Sequence, residues 1–181
     1  VEDLAGVRHG AGHARDLALA ALGRGVSTVV AWGGDGTMNE IGTAVAYTEA
    51  AMALVPSGSG NGLARELGIP FDASAALEIA VSGRMRTIDA GEIEQRLFFN
   101  VAGMGLDARV AHQFAARGLD RRGLRGYVEV TLRELFRSRP EDHTISADGV
   151  VVRRRTLMLA IANSRQYGNG AIIAPKARLD D

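Results

Sequence analysis

Residues 27–37 read STVVAWGGDGT, a short β-branched run followed by three closely spaced glycines. The run at 27–32 predicts a buried parallel strand, and the glycines predict a turn whose backbone a bulky ligand can approach closely. Thr37 is predicted as the N-cap of a helix to about Tyr47, with Glu40 completing a capping box. A strand, a glycine turn and a helix in this order are typical of an α/β sheet.

The same unit recurs one strand later in the chain. Residues 51–55 (AMALV) predict the second strand, and PSGSGN at 56–61 predicts a second glycine turn before a short helix over Asn61–Leu67. A helix over 14–22 precedes the first strand, and another extends from an Asp72 cap to about Val81. Because open α/β sheets bind ligands at the carboxyl edge of their strands, we expect the two glycine loops to converge there on one site.

The periodicity changes after Gly83, which predicts a second, mostly β part. The predicted elements are strands at 85–93 and 96–102, helices at 106–116 and 124–137, and a hairpin of 143–147 with 150–162 around an Asp-Gly turn. The predicted domains are therefore residues 1–92 and 93–181. The predicted fold class is an α/β domain with an open, mostly parallel sheet and helices, followed by part of a β-sandwich-like domain.

The composition narrows the class of protein. The 181 residues are 46% hydrophobic and 23% charged with a formal net charge of +0, which argues against disorder and against a generally basic nucleic-acid-binding protein. The absence of Cys excludes a thiolate metal site and a cysteine nucleophile. No apolar run approaches the roughly 18–20 residues of a membrane-spanning helix, and the start has no signal-peptide pattern. We expect a piece of a longer cytoplasmic protein.

The residue types of the two loops favour a phosphate site. Small residues that lead into a helix direct backbone N–H groups and the positive end of the helix dipole at one point. Asp35 would repel a bare phosphate there, so it suits a proton acceptor or a holder of a cation or water. The alternatives are a local helix cap for Asp35 and a simple connector for 56–61. Neither loop is a Walker A or a GxGxxG motif.

VVAWGGDGTMNEIGTAV at 29–45 and LVPSGSGNGLARELGIP at 54–70 resemble the diacylglycerol kinase catalytic-domain family. That family includes bacterial diacylglycerol kinases and sphingosine kinases. The resemblance continues through IDAGEI at 88–93, FFNVAGMGLDARV at 98–110 and NSRQYGNGAIIAPKARLDD at 163–181, so it covers nearly the whole chain.

The resemblance implies a two-domain lipid kinase that uses ATP and Mg²⁺. It would transfer the γ-phosphoryl group to a lipid hydroxyl such as that of diacylglycerol, which gives phosphatidic acid. Asp35 would be catalytic, and Asp181 would belong to a structural Mg²⁺ loop. The resemblance assigns nucleotide binding to Gly33, Gly34, Asp35, Gly36, Thr37, Gly58, Ser59, Gly60 and Asn61.

The resemblance also implies missing parts and a location. In the family, an Asn-Pro element would precede Val1 and a catalytic Asp-Gly-Glu element would follow Asp181, so we expect an incomplete chain with little turnover. The expected partner is a lipid at a membrane surface, with no nucleic acid and no transmembrane segment, and a homodimer is compatible with this. The expected location is cytoplasmic, peripheral to the inner face of the membrane.

Several further residues have two interpretations each. Arg65 could face phosphates but is interpreted as a surface residue, and Asp107 could face a lipid headgroup or be structural. The cluster Arg121, Arg122 and Arg125 could contact phosphate or begin a solvated helix. Arg153–Arg155 could attract anionic headgroups, although an ordinary exposed strand is the leading interpretation. For function, the alternatives are a kinase of a soluble hydroxyl, as NAD kinases are, and a nucleotide-binding module without catalysis.

Overall fold

Helices and strands alternate through the first half of the chain, and strands predominate afterwards. The structure is a computed structural model that describes residue 6 and residues 10–115, 124–147 and 149–181. The described helices are α1 (His13–Leu22), α2 (Asp35–Val45), α3 (Gly62–Glu66), α4 (Ala73–Ser82), α5 (Leu106–Ala115) and α6 (Leu124–Arg137). The described strands are β1 (Thr28–Gly33), β2 (Ala51–Pro56), β3 (Gly91–Ile93), β4 (Arg96–Phe98), β5 (Val101–Gly105), β6 (Glu141–Ala147), β7 (Val150–Thr156), β8 (Met158–Ala162), β9 (Gln166–Gly168) and β10 (Ala171–Ile172). The predicted fold class, an α/β part followed by a β-rich part, is confirmed.

The chain folds into two compact units. The first combines Val1–Val101 with Ala162–Asp181, and the second is formed by Ala102–Ile161. The last twenty residues therefore pack with the α/β part, although they follow the second unit in sequence. The predicted boundary between residues 92 and 93 concerns sequence domains and stays a prediction.

The first unit is built on a pair of parallel strands. β1 and β2 pair in register from Thr28 with Ala51 to Gly33 with Pro56, so both strands end at the same edge. Helix α1 packs against α2, α2 against β1, and α4 against β2. The core between these elements includes Ala31, Met38, Leu54 and Leu63 among its buried side chains. This packing fixes the two segments that follow β1 and β2.

The second unit contains a helix pair and a long hairpin. α5 and α6 pack together through the buried side chains of Leu106, Val110 and Val130. β6 and β7 are antiparallel over seven residues each, and the last pair is Ala147 with Val150. Gly149 has a φ of 80°, as expected in a two-residue hairpin turn. The predicted hairpin is thus confirmed, although its Asp148 lies outside the described residues.

Three predicted strands are longer than the strands observed. The predicted strand at 85–93 is regular only over Gly91–Ile93, and the one at 96–102 stops at Phe98 before β5 begins at Val101. The predicted run at 150–162 is divided at Leu157, because β7 pairs with β6 whereas β8 pairs with β5. One apolar run therefore serves two different partner strands.

The predicted helix cap at Thr37 is wrong. Gly34 is the N-cap of α2, and the Met38 amide donates the first helical hydrogen bond to the Gly34 carbonyl at 3.0 Å. Thr37 lies inside the first turn with its side chain against Gly33. Glu40 does not complete a capping box, because its Oε2 accepts a hydrogen bond from the Ala14 amide at 3.0 Å and so joins α2 to α1.

Candidate functional site

The two glycine loops touch at the shared edge of β1 and β2. The Ser57 amide donates to the Gly33 carbonyl at 2.9 Å, which continues the parallel pairing past the last strand residues. A Cβ built on Gly34 would lie 3.0 Å from the Cα of Gly58, and a Cβ on Gly58 would collide with Gly34 in turn. Only glycines allow the two backbones to approach this closely. The loops predicted to converge are therefore in direct contact.

The first loop leads straight into an eleven-residue helix. Gly34 is extended, and Asp35, Gly36 and Thr37 form the first turn of α2. The amides of this turn have no partner carbonyl within the helix, and the positive end of the helix dipole lies here. A Cβ on Gly36 would meet no atom within 4 Å, so open space adjoins this helix end. The geometry suits an anionic group close to the backbone.

The Asp35 carboxylate lies between the two loops. Its Oδ1 accepts a long hydrogen bond of 3.4 Å from the Leu63 amide in the first turn of α3. Its Oδ2 lies next to Gly60, where an added Cβ would be 2.9 Å from that oxygen. Asp35 does not act as the N-cap of its own helix, since Gly34 does. It instead accepts a hydrogen bond from the first turn of the neighbouring helix α3. The N-cap residue of α3, Asn61, makes no side-chain capping bond.

The side chain of Asn61 is hydrogen-bonded to the backbone of the second loop. It is only 2% exposed and adopts a left-handed φ of 51°. Its Oδ1 accepts from the Gly58 amide at 2.9 Å, and its Nδ2 donates to the Gly58 carbonyl at 2.7 Å. These two bonds hold Gly58 in place against Gly34. The buried carboxamide of Asn61 therefore shapes the loop.

A third segment, residues 163–170, packs against the second loop. The Asn169 amide donates to the Gly60 carbonyl at 3.1 Å, and Gly168 lies against the Gly60 backbone. Arg65 Nε donates to the same carbonyl at 3.2 Å, while the guanidinium of Arg65 stacks 4.4 Å from the Phe71 ring centroid. Arg65 is exposed, in line with its interpretation as a surface residue, and it also fixes Gly60.

Buried polar contacts hold that third segment in place. The Ser164 hydroxyl, fully buried, donates to Asn100 Oδ1, and Asn100 also adjoins Gly62 at the start of α3. The Asn163 amide donates to the Asn100 carbonyl at 2.8 Å. Beside them Arg165 pairs with Glu66 at 2.9 Å, and the Glu66 side chain is only 7% exposed.

Sequence reasoning gave residues 163–170 no structural role. The contact between Asn100 and Ser164 is likewise not predicted by any local sequence pattern. The available signal was a polar Asn-Ser pair directly after the apolar run of β8. Polar residues at the end of a strand can satisfy backbone groups of neighbouring elements.

Asp180 and Asp181, at the end of the chain, lie away from the glycine loops in sequence but within the same unit. Arg86 pairs with Asp180 at 2.7 Å, and this hydrogen bond, with a smaller contribution from Arg178, holds the pKa of the Asp180 carboxyl below its ordinary value. Among the residues that the structure describes, no group of three or more His, Asp or Glu side chains could hold a metal ion. Asp181 as a metal ligand stays a prediction.

The remaining predicted candidates have varied positions. Arg153, Arg154 and Arg155 are exposed on β7. Arg121 and Arg122 and the side chains of Asp107 and Arg125 lie outside the described residues. Within the parts of the chain that the structure covers, no helix is long and apolar enough to cross a membrane.

Two protein-family models match the chain. The diacylglycerol kinase catalytic domain matches residues 5–93, and the YegS C-terminal NAD kinase β-sandwich-like domain matches residues 100–181. A Bacillus anthracis crystal structure described as a diacylglycerol kinase superposes with a TM-score of 0.72 over 98% of this chain and 58% of its own, at 23% identity. That likeness concerns the fold.

Two curated relatives align with nearly the whole of this chain. A Pseudomonas aeruginosa protein named "Probable lipid kinase YegS-like" is 35% identical over 94% of this chain and 57% of its own length. A Mycobacterium tuberculosis protein named "Diacylglycerol kinase" is 34% identical over 100% of this chain and 60% of its own. The chain thus spans less than two thirds of these relatives. With both domain models matched in order, the chain belongs to the diacylglycerol kinase catalytic-domain family.

Proposed function

We propose that this chain is the nucleotide-binding and part of the lipid-binding portion of an ATP-dependent lipid kinase. The whole protein would transfer the γ-phosphoryl group of ATP to a lipid hydroxyl, such as that of diacylglycerol, and yield phosphatidic acid. The observation that carries the proposal is the glycine-to-glycine contact of the two loops, with the Asp35 carboxylate lodged beside it. The names of the relatives support the lipid class of acceptor.

In this proposal the two loops bind the phosphates of ATP through their main chain. Gly33, Gly34, Gly36 and Thr37 belong to the first loop, and Gly58, Ser59, Gly60 and Asn61 to the second. Support comes from the amides at the first turn of α2 and from the open space beside Gly36. Neither loop carries a lysine, so backbone N–H groups and the dipole of α2 would supply much of the local positive potential.

Asp35 is proposed as the proton acceptor. It would take the proton of the lipid hydroxyl while that oxygen forms a bond to the γ-phosphorus and the bond from phosphorus to the bridging oxygen breaks, so that ADP leaves. The position of Asp35 supports this role, since Oδ1 is oriented by the Leu63 amide and Oδ2 lies at the loop contact.

Mg²⁺ is proposed to enter with the ATP phosphates. Mg²⁺ commonly binds through one or two carboxylates plus substrate phosphates, and when bound it neutralises charge on the transferred group. Asp35 fits one such ligand, because a carboxylate at a phosphate loop has the required oxygen donors. Asp180 fits poorly, because the guanidinium of Arg86 lies 2.7 Å from it and would repel a cation. Asp181 is proposed as part of a structural Mg²⁺ loop, as the family resemblance implies.

The substrate class and location follow from the same proposal. A diacylglycerol or a similar lipid lies in a bilayer, so the enzyme would act as a peripheral protein at the cytoplasmic face of a membrane. The overall charge of +0 provides no general attraction to such a surface. Contact with lipid would therefore depend on a local surface of the protein.

An acceptor panel tests the proposal. The whole protein is incubated with γ-labelled ATP and with diacylglycerol, sphingosine, monoacylglycerol or NAD, and labelled products are separated. Label in a lipid product that depends on Mg²⁺ is the expected result. Label only in NAD would favour a kinase of a soluble hydroxyl. ATP binding with no labelled product from any acceptor would favour a nucleotide-binding module without catalysis.

A further inference from the structure

Helix α6 of the second unit carries an exposed apolar ridge. Its inner side is marked by the buried residues Val130 and Glu134, at 3% and 7% exposure. Leu132 and Phe136 are one turn apart on the opposite side, with exposures of 50% and 87%. Leu135, at 40%, flanks them. These three side chains form an apolar surface. The described part of the second unit leaves this surface exposed to solvent.

Arginines surround the end of this ridge. Arg137 ends α6, Arg139 follows it, and Arg155 Nε donates to the Pro140 carbonyl at 3.4 Å, which brings β7 beside the end of the helix. All three side chains are exposed. The nearby carboxylate of Glu141 is engaged by Arg109 of α5 at 3.0 Å, and Asp142 is the cross-strand neighbour of Arg155.

The segment that carries these arginines, residues 137–155, is more positively charged than the chain as a whole. Residues 137–155 contain five arginines and three carboxylates, an excess of two positive charges, whereas the chain as a whole has a net charge of +0. A basic rim around an exposed apolar ridge matches the chemistry of an anionic bilayer, whose headgroups attract arginine and whose acyl region accepts apolar side chains.

We propose that Leu132, Leu135, Phe136, Arg137, Arg139 and Arg155 form a docking surface for an anionic phospholipid bilayer. This inference rests on the proposed function, since it assigns the surface by which a lipid kinase would reach a substrate within a membrane. The apolar ridge enters the boundary between headgroups and acyl chains, and the arginines remain at the headgroup level.

Vesicle co-sedimentation of the 181-residue chain tests this surface. The wild-type chain should bind phosphatidylcholine vesicles that contain phosphatidylglycerol more tightly than vesicles of phosphatidylcholine alone, and added NaCl should weaken that binding. The double change Leu132→Gln with Phe136→Gln should weaken binding about tenfold or more. The changes Arg137→Gln and Arg139→Gln should each weaken it about fivefold.

Matched controls come from the first unit. Met85→Gln changes an apolar side chain that is 85% exposed, and Arg24→Gln removes the same charge from another exposed site, so both should bind vesicles as the wild type does. All variants should keep the wild-type unfolding midpoint, because the changed side chains are exposed. Equal losses in the controls and in the ridge variants would overturn the inference.

Two other outcomes would also overturn it. One is wild-type binding to anionic vesicles by the Leu132/Phe136 double variant. The other is a change in the sedimentation coefficient of that variant without vesicles, because the ridge would then be an interface between two copies of the chain. Neither outcome depends on ATP. Nucleotide binding measured on the same variants tests the proposed function separately, since none of these changes touches the glycine loops.

Discussion

Asp35 links the two loops at the scale of a single side chain. The change Asp35→Asn keeps the shape and an oxygen that can accept the Leu63 amide, but it removes the basic carboxylate. We expect phosphoryl transfer by the whole protein to fall about 100-fold to 10,000-fold, the usual contribution of a general base. The unfolding free energy should change by less than about 1 kcal/mol. Turnover of the purified variant within tenfold of the wild type would exclude Asp35 as the proton acceptor.

Gly58 and Gly36 provide a matched pair of alanine substitutions. In Gly58→Ala the new Cβ meets the Gly34 backbone, which cannot move without disturbing β1, so we expect a loss of about 1–3 kcal/mol in unfolding free energy. In Gly36→Ala the Cβ meets no atom within 4 Å inside a helix, so stability should be unchanged or rise by up to about 1 kcal/mol. Urea unfolding of the two variants measures this difference.

The same pair separates folding from ligand binding. If phosphates lie in the space beside Gly36, the added methyl group should weaken ATP binding by the folded Gly36→Ala variant, as calorimetry can measure. Unchanged ATP affinity in that variant would place the phosphates elsewhere. Equal stability of both variants would contradict the close contact of the loops.

Ser164 tests whether residues 163–170 hold their place against α3 through buried polar contacts. Ser164→Ala removes the buried hydroxyl that donates to Asn100 and leaves the partly buried Asn100 oxygen without this donor, so the unfolding free energy should fall by about 1–3 kcal/mol. Ser82→Ala is the control, because its hydroxyl bonds the Glu78 carbonyl at an exposed helix end and its loss should cost less than about 0.5 kcal/mol. Equal losses of unfolding free energy in the two variants would show that the contact between Ser164 and Asn100 does not stabilise the fold.

Local patterns were sufficient for most elements around the site. β1 and β2 were predicted from short apolar runs, and Asp72 was predicted as a cap and does accept the Ala75 amide at 2.9 Å. The meeting of the two loops followed from parallel strand order alone. These features depend on residues close in sequence or on the geometry shared by all parallel sheets.

The errors came from contacts between distant residues. Glu40 fits a capping box locally, yet it binds the amide of Ala14, 26 positions away. The run at 150–162 looks continuous, yet the Leu157 carbonyl accepts from the Leu106 amide as the chain changes partner strands. The Asn100–Ser164 contact joins residues 64 positions apart, so no local period reveals it. Contacts between distant parts of the chain decide these three features, and a short stretch of sequence does not reveal such contacts.

Asp180 makes the attachment of the chain end to the first unit sensitive to pH. Its carboxyl has a pKa below the ordinary 3.8 because Arg86 donates a hydrogen bond to it. A carboxyl with a lowered folded-state pKa contributes stability that is complete above its ordinary pKa and is lost as the pH falls through the lowered value. Asp180→Asn should therefore be less stable than the wild type at pH 7, and the difference should vanish in acid.

Urea unfolding at a series of pH values measures this effect. Glu49→Gln removes one charge from another exposed carboxylate and serves as the control, for which no comparable convergence with the wild type is expected. A stability gap for Asp180→Asn that stays constant from neutral pH to below pH 3.8 would show that the ion pair with Arg86 does not contribute.

The first unit is formed by two segments of the chain, and we expect it to fold without the second unit. Its segments meet where the Asn163 amide donates to the Asn100 carbonyl at 2.8 Å, so a short Gly-Ser linker could join Val101 directly to Ala162. Among the residues that the structure describes, the core cluster of the first unit includes none from the range 102–161. The shortened chain should therefore unfold in one cooperative urea transition, with a smaller slope because less surface becomes exposed. It should also keep the ATP affinity of the parent chain, because both glycine loops and residues 163–170 remain. A shortened chain without a cooperative transition would mean that the last twenty residues need the second unit in order to dock.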